Sequence, residues 1–216
     1  MTMKQININE VEHKLLAGDI IAFGGDNNVS KMIKAATNSV VSHVGIVINP
    51  PKYLSVDEDE IVFMEANFAK KMVCISTLSD KLEVFSGYMW HLPLSATLRS
   101  NMMKSSELHT FLETQLHKPY DTTQALKSAV DCLDNFPFCQ NGATYNEEDF
   151  KEVFCSELVT GALEAGKIIG TVNASEVTPI EVCQWQIFEP VYFQLQGEEA
   201  LEIDAYNSVP YQESVG

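Results

Sequence analysis

The chain has 216 residues, of which 14 are Lys or Arg and 30 are Asp or Glu, so its formal net charge is -16. That charge disfavours nucleic acid and anionic membrane surfaces as partners, although it could also serve solubility alone. The length and a hydrophobic fraction of 45% fit one globular domain with a sizeable core.

Cysteine usage and hydropathy narrow the class of protein further. The five cysteines include no CxxC pair, which argues against a zinc finger and against a disulfide framework. The first residues show no basic segment followed by an apolar run, and no stretch approaches the roughly 20 apolar residues of a membrane span. We therefore expect a cytoplasmic protein with no membrane span, no metal and no cofactor. The sequence leaves the oligomeric state open.

Short apolar runs separated by turn residues predict most elements of the first half of the chain. Val29, Ile33 and Ala36 recur at helical spacing and predict a helix over 29–37. Strands are predicted at 20–23, 40–48, 61–66, 72–76 and 88–92. The second and third of these are expected to pair as an antiparallel hairpin with a long connection.

The second half of the chain is mainly helical in pattern. One apolar stripe predicts a single core-packing helix over 96–117, which Pro119 ends. Residues 136–149 have a loop composition and are interpreted as an insertion. A last helix is predicted to start at Thr178-Pro179, and 189–195 returns as a strand. Grouped strands without regular βαβ alternation predict an α+β fold, with one domain over 1–195 and an acidic tail at 196–216.

The sequence around Cys155 has the pattern of a nucleophile at a helix start. Leu158, Val159 and Ala162 follow Cys155 on one apolar face, and Gly166 stands where a left-handed C-cap is expected. A thiol at a helix N-terminus is close to free N–H groups and to the positive end of the helix dipole, which favours the thiolate. A lone cysteine with this pattern is also compatible with a small buried apolar residue.

Two polar residues in apolar strands are candidate partners for that thiol. His43 lies within the strand predicted at 40–48, and Glu65 lies in the next one. Burying either group is costly unless it is paired, so we expect His43 and Glu65 to be cross-strand neighbours. With Cys155 they supply a nucleophile, a base and a group that orients the base. A structural histidine is the alternative interpretation of His43.

Four motifs occur in an order that resembles a known family. They are Gly18-Asp19-Ile20-Ile21, Ser42-His43-Val44-Gly45-Ile46, Met64-Glu65-Ala66 and Phe154-Cys155-Ser156-Glu157-Leu158-Val159. Together they resemble the circularly permuted papain-like cysteine hydrolases of the NlpC/P-sixty superfamily, in particular the YiiX-like branch. Relatives of lecithin retinol acyltransferase share the permutation, in which the His strand precedes the Cys helix.

The resemblance implies a papain-like (permuted NlpC-type) fold, with a central antiparallel sheet or partial barrel packed against the Cys helix. It implies that Cys155 is the nucleophile, His43 the general base and then acid, and Glu65 the third polar group. Tyr120 is a candidate oxyanion donor or substrate wall, and is equally compatible with a packed aromatic. Asp121 is a weaker substrate-binding candidate, because a helix N-cap explains it better.

For the substrate, the resemblance implies an amide bond in a small peptide, with cell-wall (peptidoglycan-type) peptide fragments as the leading class. A lipid or thioester acyl hydrolase or acyltransferase is the first alternative, and it calls for an apolar groove or a membrane-binding helix. A catalytically silent binding module is the second.

The remaining polar candidates are assigned structural roles from the sequence. Asp19 is interpreted as a turn residue and His91 as part of strand packing. Cys74, Cys132 and Cys183 fall in apolar-periodic segments and are interpreted as core or inert thiols.

Overall fold

The computed structural model describes residues 1–6, 15–51, 54–57, 60–102, 106–120 and 153–211. One open, seven-stranded sheet runs through them, with the spatial order β1-β7-β6-β2-β3-β4-β5. Neighbouring strands are antiparallel except β1 and β7, which are parallel. The strands are β1 Thr2–Gln5, β2 Ile20–Gly25, β3 His43–Ile48, β4 Val62–Asn67, β5 Met72–Thr77, β6 Gly87–Leu92 and β7 Val191–Gln196.

Six α-helices accompany the sheet in the described parts of the chain. They are α1 Asn28–Ala36, α2 Leu78–Val84, α3 Ala96–Met102, α4 Glu107–Gln115, α5 Cys155–Ala165 and α6 Pro179–Gln184, with a 3-10 turn at Ala174–Glu176. The fold is therefore α+β, as the grouped strands predict. Within the described ranges, no helix is long and apolar enough to cross a membrane.

The sheet has an apolar cluster on each face, because alternate residues of a strand point to opposite sides. Ile20 and Ala22 of β2 join the larger cluster, into which the buried face of α5 also packs. Ile21 and Phe23 join a smaller cluster, which Leu78 of α2 helps to cover. The central strand is thus buried on both faces, which explains its uninterrupted apolar sequence.

The predicted strands are present, although β3 begins at His43 rather than at Val40, and the hairpin that carries His43 and Glu65 forms as expected. β3 and β4 are antiparallel neighbours, paired at Ile46↔Met64 and Val47↔Phe63. The helix predicted at 29–37 corresponds to α1, whose N-cap Asn27 accepts a hydrogen bond from the N–H of Ser30. The helix predicted at Thr178-Pro179 corresponds to α6, with proline in its first turn.

Two helix predictions are corrected. The single helix expected over 96–117 is two helices, α3 and α4. Ser106 lies outside both, and Glu107 begins α4 with the acidic first turn that the helix dipole favours. Gly166 at the end of α5 has φ -74 and is not the left-handed cap. The next residue, Lys167, takes the left-handed conformation instead, with φ 55.

Two elements and the packing of the tail were missed by the sequence analysis. β1 and α2 lie in segments for which no element was predicted. After β7, the described part of the segment predicted as an acidic tail packs against the domain, where Ile203 and Tyr206 are buried. The proposed insertion 136–149 and the last residues, 212–216, lie outside the described residues.

Candidate active site

Cys155 is the first residue of α5 and is 3% exposed. Phe154 before it is extended, and its carbonyl accepts the N–H of Leu158 as the first helical bond. The carboxylate of Glu157 accepts the N–H of Phe154 at 3.3 Å, which closes the helix start. One residue on, the hydroxyl of Ser156 donates to the carbonyl of Val177 at 2.6 Å. The nucleophile candidate therefore lies at a helix N-terminus held by buried polar contacts.

The sulfur of Cys155 is surrounded by groups that favour its charged form. Burial raises the pKa of the thiol, but the charge and hydrogen bond of His43 oppose that effect and hold the pKa below its ordinary value. The backbone N–H groups of Val44 and Ser156 add further hydrogen bonds to the sulfur. These surroundings favour the thiolate over the neutral thiol.

His43 connects the thiol to the sheet. It is the first residue of β3, so its ring lies at the end of the strand, next to the start of α5. Its Nε2 is 2.7 Å from a carboxylate oxygen of Glu65, which leaves Nδ1 as the ring nitrogen for Cys155. Burial lowers the pKa of the imidazole, but Cys155 and Glu65 outweigh burial and raise that pKa to about 9. The favoured state is an imidazolium beside a thiolate.

Glu65 is almost completely buried, and four different side chains contact its carboxylate. Besides His43, the hydroxyl of Ser76 donates to it at 2.7 Å and the amide of Asn67 at 3.0 Å. The ammonium of Lys81 contacts both oxygens, at 2.7 and 2.9 Å. Burial raises the pKa of Glu65, but the interactions with His43 and Lys81 outweigh it and hold that pKa well below its usual range. Glu65 is thus an anion in a fixed orientation.

The structure brings together the three residues predicted to form the site. The arrangement can do what a nucleophile, a base and its orienter do: present a thiolate, accept and return a proton at Nδ1, and hold the imidazole in one orientation. In space, His43 lies between Glu65 and Cys155, which is where a base lies between its orienting group and the nucleophile. Within the described residues, no cluster of three His, Cys, Asp or Glu side chains is arranged to hold a metal ion.

A pocket of about 190 Å³ opens beside His43 and Glu65. Val29 and Ile33 of α1, with Phe68, Phe85 and Tyr120, give it largely apolar walls. The ring of Tyr120 packs edge-on against Phe68, with 5.6 Å between the centroids. The structure therefore places Tyr120 in the pocket wall, where its role as substrate wall or donor stays a prediction. Asp121 lies outside the described residues.

Sequence reasoning missed the groups that fix Glu65, above all Lys81. A local signal was present, because Thr77 accepts the N–H of Asp80 and is followed by an acidic first turn, the pattern of a helix start. That pattern predicts α2. It does not predict that Lys81 reaches β4, because this contact depends on how α2 packs on the sheet.

A second buried polar cluster was also missed. Asp19 is fully buried, and its carboxylate contacts Nε2 of His91 at 2.8 Å and the N–H of Leu94 at 2.8 Å. The guanidinium of Arg99 pairs with Asp19 and also donates to the carbonyls of Ala17 and Leu94. Asp19 is therefore the centre of an ionic cluster in addition to lying in a turn.

Comparisons with solved structures show a distant likeness. No family model matches the chain, and no curated protein matches it. Among solved structures, it is similar to the crystal structure of metalloprotein yiiX from Escherichia coli O157:H7, with 19% sequence identity and a TM-score of 0.44. The aligned region covers 69% of this chain and 65% of that one, less than two thirds of that protein's length. What the site can do therefore follows from its own geometry.

Proposed function

We propose that this protein is a cysteine hydrolase that cleaves an amide bond through a thioester on Cys155. The observation that carries the proposal is the position of His43, whose ring is fixed by buried Glu65 on one side and hydrogen-bonded to the Cys155 thiol on the other. The chain order His43, Glu65, Cys155 further supports a circularly permuted papain-like architecture of the NlpC/P-sixty type and its YiiX-like branch.

The reaction uses the ion pair as its starting state. The thiolate of Cys155 attacks the carbonyl carbon, and the imidazolium of His43 gives its Nδ1 proton to the leaving amine as the C–N bond breaks. Neutral His43 then takes a proton from water, whose oxygen attacks the thioester carbon. The C–S bond breaks, the acid leaves, and the thiolate and imidazolium are restored.

The negative oxygen of each tetrahedral intermediate needs donors close to the thiol. Cys155 is the first residue of α5, so its backbone N–H has no acceptor one turn earlier in that helix. A donor at this position, in a buried site, stabilises developing negative charge without reorganising. Tyr120 in the pocket wall is the candidate for a second donor.

The leading substrate class is a small peptide, with cell-wall peptide fragments as the first to be tested. The pocket beside His43 favours a second candidate, an acyl ester or thioester, because its walls of Val29, Ile33, Phe68 and Phe85 are apolar. An acyl substrate would place its chain against these walls, whereas a peptide would place a side chain there.

The test is a turnover screen of peptide amides, cell-wall peptide fragments and acyl esters of increasing chain length. Cys155→Ala is the inactive variant, and Cys183→Ala is the matched control, because Cys183 is an equally buried thiol whose pKa burial raises. We expect turnover with the wild type and Cys183→Ala, at least about 10²-fold above Cys155→Ala.

The outcomes separate the candidates. Amide cleavage supports the peptidase assignment, and a rate that rises with acyl chain length supports the acyl alternative. Equal turnover by the wild type and Cys155→Ala would overturn the assignment of Cys155 as the nucleophile. Ligand binding without turnover and without any covalent adduct on Cys155 would support a catalytically silent binding module instead.

A further inference from the structure

Lys81 is the charged group of the site that the mechanism above does not use. It lies on α2, on the face of the sheet opposite α5, and its ammonium contacts both oxygens of Glu65. The same nitrogen lies 5.1 Å from the ring centroid of Phe23 and 5.9 Å from that of Phe63, which are cation–π distances. Only 15% of its side chain is exposed. The rings of Phe23 and Phe63 and the carboxylate of Glu65 therefore hold the ammonium in place.

The charges in the site change during the reaction proposed above. In the resting state, the imidazolium of His43 lies between two anions, Glu65 and the Cys155 thiolate. After acylation the thiolate is gone, and His43 must be neutral to take a proton from water. Glu65 alone would then favour the imidazolium and oppose this step.

Lys81 supplies the opposing positive charge. The other groups that face this carboxylate are the hydroxyl of Ser76, the amide of Asn67 and the thiol of Cys74 on β5. Burial and the charge of Glu65 raise the pKa of the Cys74 thiol, which favours its neutral form. None of these is a cation. In the described part of the chain, Lys81 is thus the group that balances the charge of Glu65 when the thiolate is absent.

We propose that Lys81 is a positioning residue for deacylation: it fixes Glu65 and offsets its charge, so that His43 is released as a neutral base once Cys155 is acylated. This proposal rests on the proposed function. A purely structural ion pair would share the contacts but would leave the protonation of His43 unaffected.

The experiment uses acylation by p-nitrophenyl acetate, which separates a burst of nitrophenolate from the slower hydrolysis of the acetyl-enzyme. Lys81→Met is the test variant, Lys81→Arg retains the charge, and Lys4→Met on exposed β1 makes the same charge change away from the site. In Lys81→Met we expect an unchanged burst but deacylation about tenfold slower near neutral pH, with its rising limb moved on the order of one pH unit upward. Lys81→Arg and Lys4→Met should resemble the wild type.

A second measurement holds even if Lys81→Met turns over poorly. Cys155→Ala lacks the thiolate, as the acyl-enzyme does, so the NMR titration of His43 in that protein reports the state before deacylation. Adding Lys81→Met should raise the pKa of His43 on the order of one unit, and adding Lys81→Arg should not. An unmoved titration, or equal loss of burst and deacylation, would overturn the role of Lys81 alone. Absence of a Cys155-dependent burst in the wild type would overturn the proposed function and this inference with it.

Discussion

At the scale of residues, the site is a row of four alternating charges. In the charged forms that their mutual interactions favour, Lys81, Glu65, His43 and Cys155 carry plus, minus, plus and minus, and each interacts with the next. A buried charge is costly unless it is paired and hydrogen-bonded. Here every ionised group has an opposite neighbour, so the row can stay charged while nearly excluded from water.

The first prediction concerns the reactivity of the thiol. Iodoacetamide reacts with thiolates, and an ordinary cysteine with a pKa of about 8.5 is only about 0.1% thiolate at roughly pH 5.5. Cys155, whose pKa His43 and two backbone N–H groups lower, should be alkylated at that pH, while Cys74 and Cys183, whose pKa values burial raises, should not. Mass spectrometry of digested protein gives the labelled positions.

The control for this labelling is His43→Ala. Without the imidazolium, the lowered pKa of Cys155 loses its main cause, so labelling near pH 5.5 should fall by about tenfold or more. Labelling of Cys155 that is equally fast in wild type and His43→Ala would show that the histidine does not set the reactivity of this thiol.

The residues of the site differ in how far the sequence predicts them. His43 and Glu65 stand out because an ionisable side chain inside an apolar strand needs a partner, and Cys155 because a helix start follows it. Lys81 does not stand out, since a lysine in a short surface helix is the ordinary case. Its role depends on the packing of α2 against β4, which is not encoded within a few residues of Lys81.

At the scale of elements, the Asp19 cluster joins three parts of the fold. Asp19 precedes β2, His91 lies on β6 and Arg99 on α3. The ring of His91 also stacks on Phe193 of β7, with centroids 5.7 Å apart. The cluster lies outside the residues of the proposed reaction, so its effect should appear in stability before it appears in catalysis.

Asp19→Asn should therefore destabilise the fold strongly. It leaves the Arg99 guanidinium without its anionic partner, and breaking a buried ion pair typically costs about 3–5 kcal/mol. The matched control is Asp26→Asn. The carboxylate of Asp26 is exposed and 3.8 Å from Lys34, so losing its charge should lower the free energy of unfolding by only about 0–1 kcal/mol. Urea denaturation followed by circular dichroism measures both. A loss of under about 1 kcal/mol in Asp19→Asn would mean that the cluster does not stabilise the fold.

At the scale of the whole molecule, the segment after β7 completes the larger apolar cluster. Tyr206 packs against Tyr192 at 4.2 Å between ring centroids and donates to the carbonyl of Glu189 at 2.9 Å. The indole of Trp90 donates to the carbonyl of Leu201 at 2.9 Å. A segment with an acidic composition is thus held by a few buried aromatic and backbone contacts.

Tyr206→Ala should lower the free energy of unfolding by about 3–5 kcal/mol, because it removes a buried ring and leaves a cavity. Val209→Ala in the same segment should change it by less than about 0.5 kcal/mol, since Val209 is 42% exposed. Thermal and urea unfolding of the two variants give the comparison. Equal small effects would mean that the segment after β7 contributes little to stability.

Much of the sheet could be predicted from the sequence, because β2, β3 and β4 are apolar runs between clear turn residues. β1 could not, since Thr2–Gln5 is mostly exposed and is a strand only because β7 pairs with it. The packing of Tyr206 was equally hidden, because neighbouring acidic residues dominate the composition of its segment. The local sequence pattern predicts residues that are buried by the packing of their own element. It does not predict residues that are buried only by an element distant in the chain.

The parallel pairing of β1 with β7 has a consequence for the order of folding during synthesis. Strands β2 to β5 pair each with the next in the chain, so His43 and Glu65 can meet while later residues are still being made. β1 can pair only after β7 has been synthesised, because Thr2 of β1 pairs with Val191 of β7. Cys155 follows Glu65 by 90 residues, so the hairpin of β3 and β4 can form before α5 has been synthesised.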